Sequence, residues 1–169
     1  SAEVEDTMDS WDILQGGFKL DRNITDRDSL TLQGDIYNMD GGDLENVATP
    51  FPPFSNMMYV SREADGRNIL GRWKRTFSDT SDMILQSYYD YAKVRSVFYE
   101  PFEPCIKTYD IDFQHHFQLS DVQNIIWGLG YRLVSDDIAT STNLSMNPSS
   151  RDEALYSAFL QDEIILKKE

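Results

Sequence analysis

The sequence predicts an all-β chain, an antiparallel up-and-down meander of about seven long strands. Three observations point there: polar and apolar residues alternate with period two, the alternating runs are long, and the connections between them switch regularly between short and long. The alternation is clearest in Tyr109–Leu119. Tyr109, Ile111, Phe113, His115, Phe117 and Leu119 share one side, and Asp110, Asp112, Gln114, His116 and Gln118 share the other. A helix cannot sort these residues, whereas successive residues of a strand point to opposite faces and do so at once.

Taken in order, the first two runs, 11–20 and 29–38, set Leu14, Gly16, Phe18 and Leu20, then Leu30, Leu32, Gly34 and Ile36, against Gln15, Lys19, Thr31, Gln33 and Asp35. Run 67–77 is less regular, because Arg75 falls on the side of Ile69, Trp73 and Phe77. Run 82–92 opposes Met83, Leu85, Tyr89 and Tyr91 to Gln86 and Asp90. Runs 107–118 and 124–134 follow, the latter grouping Ile125, Trp127, Leu129, Tyr131 and Leu133, and run 153–165 closes the series.

These runs match the roughly 9–11 residues of a tilted membrane-spanning strand and exceed the five or six usual in soluble sheets. The connections 21–28, 78–81 and 119–123 are short, and Met39–Gly66, Lys93–Ile106 and Ser135–Asp152 are long, in strict alternation. Bacterial barrels have short periplasmic turns and longer external loops, so the expected architecture is a fragment of a transmembrane β-barrel. With the short turns below, Phe18, Phe77 and Phe117 are expected near a lower rim, and Tyr37, Tyr89, Tyr91, Tyr131 and Tyr156 toward an upper one. A soluble β-sheet or small-barrel protein binding an apolar ligand shares the alternation. The two differ in what the face of Leu14, Leu32, Phe113 and Leu129 meets.

The 169 residues fit a single unit, with no second domain required. The net charge of −14 opposes general binding to nucleic acid, whose phosphates would repel it. Ser1–Ser10 is acidic and lacks the apolar core of a signal peptide, and no run approaches the roughly 20 apolar residues of a transmembrane helix. Cys105 is the only cysteine, so no internal disulfide forms.

Five phrases, Leu30–Tyr37 (LTLQGDIY), Gly71–Asp79 (GRWKRTFSD), Asp110–Phe117 (DIDFQHHF), Trp127–Arg132 (WGLGYR) and Tyr156–Ile164 (YSAFLQDEI), resemble consecutive barrel strands of TonB-dependent outer-membrane receptors. The resemblance runs from about Trp11 to the end of the sequence. It implies a central part of the receptor barrel, bacterial outer-membrane localisation and uptake of a chelated nutrient such as an iron–siderophore. It also implies partners: membrane lipid, the remaining barrel strands, a plug domain that the sequence is not expected to contain, and the TonB system indirectly. A siderophore-like ligand would meet the long loops, where Phe51, Phe54, Tyr99 and Phe102 could stack on its rings and Arg62 and Arg67 offset its charge.

No catalytic residue, metal site or cofactor is expected. His115 and His116 are neighbours on a strand and point to opposite faces, so they cannot grip one ion together. Ser87 and Ser120 lie in no activating motif, and the adjacent pairs Asp152–Glu153 and Asp162–Glu163 cannot share a proton. Gly16–Gly17 and Gly41–Gly42 lack phosphate-loop spacing. The glycosylation-like patterns at Asn23 and Asn143 carry no weight outside a eukaryotic secretory pathway.

Overall fold

Every one of the seven alternating runs is a strand, and each strand pairs with the next in sequence. The computed structural model describes residues 10–49, 51–97, 101–139 and 146–164. β1 (Ser10–Asn23), β2 (Asp28–Ala48), β3 (Ser55–Ser78), β4 (Ser81–Val97), β5 (Pro101–Ser120), β6 (Gln123–Ala139) and β7 (Ser150–Ile164) form one antiparallel sheet in sequence order. The sheet is not closed into a barrel, so β1 and β7 each keep a free edge. Run 153–165 ends at Ile165, which lies outside the described residues.

The strands are longer than the sequence runs, and this corrects the long loops. Most of Met39–Gly66 is strand, and β2 and β3 stay paired from Asp28↔Arg75 up to Ala48↔Ser55. Lys93–Ile106 and Ser135–Asp152 likewise contain the ends of β4, β5, β6 and β7. The asymmetry between the two ends survives in another form. At one end the turns are tight: Thr25 Oγ1 donates to Asp28 Oδ2 and accepts from the backbone N–H of Arg27 and Asp28, and two residues each join β3 to β4 and β5 to β6. At the other end the strands run on as tall hairpins.

The reason the extensions escaped a period-two reading is that the apolar side changes partway along the strands. Next to the tight turns, the apolar residues are odd-numbered on β4, β5 and β6: Met83–Tyr91, Tyr109–Phe117 and Ile125–Leu133. Above them the apolar residues are even-numbered: Ala92 and Val94, Phe102 and Ile106, Val134 and Ile138. β1, β2 and β3 switch in the same way, from Leu14 to Ile13, from Ile36 to Met39, and from Ile69 to Ala64 and Val60. Since partners across a ladder share a face, the register aligns these changes into one crossover spanning the sheet.

A single sheet has no interior, so apolar side chains lie open on its lower half, among them Leu14, Leu20, Leu129 and Leu160. Among the described residues the buried apolar side chains are Val60 and Ala64, both on the side of β3 that turns apolar in the extension.

Candidate functional site: two faces of one wall

The lower half of the sheet sorts cleanly into an apolar and a polar face. On the apolar face Leu30, Trp73, Leu85, Phe113, Leu129 and Ala158 form one continuous row of cross-strand partners. Aromatic rings extend it: Phe113 packs on Trp127 with centroids 5.2 Å apart, Tyr89 on Tyr109 at 4.8 Å and Tyr131 on Tyr156 at 5.0 Å. Such pairs add to the area they bury and hold the register.

The opposite face carries Gln33, Asp35, Asn68, Arg72, Gln86, Asp90, Asp110, Asp112, Gln114 and Arg132, interrupted by Leu70, Ile84, Ile126, Leu155 and Phe159. Its polar groups hold one another across strands. Arg72 Nε donates to Gln86 Oε1 at 2.8 Å, and Arg132 Nε donates to Asp110 Oδ2 at 2.6 Å.

The apolar zone has a definite height and slope. Met83–Tyr91, Tyr109–Phe117 and Ile125–Leu133 each span about 27 Å along their strands, or about 20 Å of height at the roughly 40° tilt of a barrel wall. That is close to the apolar band of about 25 Å on outer-membrane barrels. Charges bound the band. Above it stand Asp12, Arg67, Lys93, Lys107 and Asp152; below it stand Arg22, Asp28, Arg75 and Asp162. The upper edge also steps across the ladder: Leu14 pairs with Asn38, the next residue on that face of β2 is Ile36, Ile36 pairs with Arg67, and apolar residues resume at Ile69. The lower edge descends from Leu20 on β1 to Phe117 on β5. A shift of about one residue per strand is the stagger that keeps a band level when strands tilt.

At the tight-turn end the face that bears the apolar band, termed the outer face and its opposite the inner, holds a polar–aromatic network. Trp73 Nε1 donates to Asp28 Oδ1 at 3.0 Å, and Arg75 lies 3.4 Å from the same oxygen with its guanidinium over Phe77. This is how Arg75 is accommodated on an apolar face. Trp127 Nε1 donates to His115 Nδ1 at 3.2 Å, and Ser81 Oγ lies 3.0 Å from His115 Nε2. The indole can only donate, so Nδ1 accepts and the neutral ring carries its proton on Nε2, toward Ser81. A serine nucleophile needs the reverse, a bare ring nitrogen facing its hydroxyl and an acceptor behind the imidazole. The pair therefore reads as a satisfied polar group within an apolar surface. His116, on the other face, lies 3.0 Å from Asp82 Oδ1. No group of three metal-ligating side chains is found among the described residues.

The five described ligand candidates do not converge. Phe51 and Phe54 are exposed at the β2–β3 tip. Arg62 and Phe102 lie on strands rather than in loops, because the extensions remain paired, and Arg67, which opens the run 67–77, lies on β3 as well. Arg62 is on the inner, originally polar, face and is ion-paired with Glu45; Phe102 is on that face too, joined to Arg62 through Ser96. Arg67 lies on the opposite face, 4.8 Å above the Tyr91 ring. Tyr99 lies outside the described residues. The aromatic levels need amending as well. Tyr37 is on the inner face, where its ring covers Gly66, whereas Phe18 stays one step above Leu20, where the lower edge of the band falls on β1. Phe77 and Phe117 do lie at the tight-turn end.

The outer face of the extension is charged. Glu103 receives Lys93 Nζ at 3.0 Å and Arg95 Nε at 2.9 Å, and Arg95 also reaches Glu63 at 3.5 Å. The hydrogen bond from Lys93 holds the Glu103 carboxyl below its ordinary pKa, and the same bond holds the Lys93 ammonium above its own. A lowered carboxyl contributes stability above its unfolded pKa and loses it as pH falls through the folded value. A raised ammonium contributes below its unfolded pKa and loses it as pH rises through the folded value. Amide protection at the tops of β4 and β5, taken relative to the intrinsic exchange rate at each pH, is therefore expected to be greatest between the ordinary glutamate and lysine ranges. It should fall modestly on both sides, and protection independent of pH in native protein, or a pH profile unchanged in Glu103→Gln, would show that the pair does not stabilise the hairpin.

No protein-family model matches the chain, and no curated protein matches it to a degree that marks common ancestry.

Proposed function

We propose that the chain is part of the wall of a bacterial outer-membrane receptor that takes up a chelated nutrient such as an iron–siderophore, acting with further barrel strands and a plug and not by itself. One observation carries this reading: the apolar band on one face of the sheet, bounded above and below by charge and opposed by a polar face. Lipid is the environment that favours such a band on the outside of a wall and water within. The crossover supports the same orientation. Above the band the outer face carries Asp12, Asp40, Glu63, Arg95 and Glu103, suited to water, and the inner face carries Trp11, Ile13, Met39, Val60, Ala64, Val94 and Phe102. An apolar inner belt at the outer mouth offers a surface for the rings of a captured ligand, with Phe51 and Phe54 above it at the hairpin tip. Energy from the TonB system would act on the plug, not on this wall. The free edges of β1 and β7 cannot face hydrocarbon unpaired, which is why neighbouring strands are part of the proposal.

A shallow depression lined by Leu85, Ile111, Phe113, Leu129, Tyr131 and Tyr156 favours the second reading, a soluble sheet binding an apolar ligand. One experiment separates the two. Single cysteines at Phe113, Trp127 and Leu129 are expected to be shielded from a water-soluble maleimide in intact outer membranes, and cysteines at Asp112, Gln114 and Arg132 to react, with rates differing by at least about tenfold. Equal rates for the two sets in membranes, or recovery of the protein in the soluble fraction, would end the membrane reading.

A further inference from the structure

The upper edge of the apolar band carries a feature that a passive wall does not need. On the outer face Arg67, Tyr91 and Lys107 are consecutive cross-strand partners on β3, β4 and β5. The Arg67 guanidinium lies 4.8 Å over the Tyr91 ring, which fixes its direction. Lys107 is exposed, and neither cation is in an ion pair among the described residues. Their Cα atoms stand two strand spacings apart, about 10 Å, so the two long side chains can converge above the intervening tyrosine. One register level below, Ile69, Tyr89 and Tyr109 begin the apolar band.

The neighbouring charges sharpen the choice of ligand. One level above, Lys93 is taken by Glu103, and Asp65 lies beside it. The chain as a whole carries a charge of −14, so a general attraction to anions is excluded and only a local, geometric site would take one. A cation pair directly above an apolar, aromatic surface fits a molecule with an anionic head and apolar tails at the same spacing.

We propose that Arg67 and Lys107 bind the phosphate of an anionic lipid headgroup, with Tyr91 as the platform between them and the acyl chains lying over Ile69, Tyr89 and Tyr109. This rests on the membrane reading of the wall. The site would tie a boundary lipid to β3–β5 in the leaflet next to the tall hairpins.

The test uses the intact membrane-inserted protein in phosphatidylcholine nanodiscs doped with phosphatidylglycerol, with bound lipid counted by native mass spectrometry. The native protein is expected to enrich phosphatidylglycerol over phosphatidylcholine, and Lys107→Gln and Arg67→Gln each to lower that enrichment by about fivefold. Arg67→Lys/Lys107→Arg keeps both charges and is expected to retain most of it. If Arg67→Gln does not insert, Lys107→Gln, at an exposed position with no ion pair among the described residues, decides the matter. Failure of these strands to enter nanodiscs within a complete barrel, with β1 and β7 paired to neighbouring strands, would overturn the membrane reading and the site with it. Normal insertion without enrichment, or enrichment indifferent to both glutamine variants, would overturn the site alone. Complete displacement of phosphatidylglycerol by millimolar inorganic phosphate would show a site for the free anion and overturn the lipid assignment.

Discussion

Substituting Leu129 with arginine is expected to cost about 2–4 kcal/mol of stability in the membrane-inserted protein, the range for an arginine placed on the lipid face near the bilayer midplane. Leu129 is the middle residue of the Ile125–Leu133 run, pairs with Phe113 and Ala158 on the same face, and is 53% exposed in the sheet. An arginine there stands about two residues from either edge of the band along its own face, too far for its head to reach water without distorting the wall. Gln114→Arg supplies the control. Gln114 lies beside Phe113 in sequence but on the opposite face, among Gln86, Asp112 and His116, where an added cation meets water and carboxylates. Its effect is expected to stay within about 0.5 kcal/mol, as for surface substitutions generally. The measurement is the urea midpoint of unfolding from lipid vesicles for both variants. Equal losses would show that the two faces do not see different environments.

The features legible in the sequence are those in which one face keeps one polarity. The strand centres could be read because Tyr109–Phe117 and Ile125–Leu133 alternate without a break, and their alternation also placed Phe113 and Leu129 opposite Asp112 and Gln114. The upper parts of the strands could not be read in that way. Around Gly66, Ala92, Ile106 and Val134 the apolar residues pass from one face to the other, and a period-two scan that assumes constant parity meets a defect there and registers a loop. Arg62 falls in the expected loop Met39–Gly66 for that reason and Arg67 opens the run 67–77, yet both lie on β3, where an odd separation puts them on opposite faces. The contact of Ser81 with His115 was beyond reach for a different reason. The two residues are 34 apart in sequence, and only the β4–β5 register, held along the ladder, brings them together. The all-β meander that the alternation predicts is observed, while receptor membership and receptor function are proposals.

Gly128 provides the sharpest test of packing on the inner face. A methyl group there would fall 2.4 Å from the Phe159 ring and 2.7 Å from the Phe113 carbonyl oxygen. The ring can swing aside, but the carbonyl belongs to the β5–β6 ladder and moves only if the ladder does. Gly66 differs, since the three atoms nearest a methyl there all belong to the Tyr37 side chain, the first at 2.4 Å, and at Gly71 a methyl meets nothing within 4 Å. No described glycine has a positive φ, so backbone strain does not separate the three positions. Gly128→Ala is therefore expected to cost about 1–3 kcal/mol, the usual penalty for overpacking that shifts backbone. Gly66→Ala should cost less, and Gly71→Ala should be neutral or stabilising by a few tenths, because alanine restricts the unfolded chain. Phe159→Ala added to Gly128→Ala should recover only part of the loss, since the carbonyl remains in place. Denaturant midpoints for the four variants decide the question. Equal effects at Gly128 and Gly71, or complete rescue by Phe159→Ala, would mean that the Phe113 carbonyl does not approach Gly128 as the β5–β6 register requires.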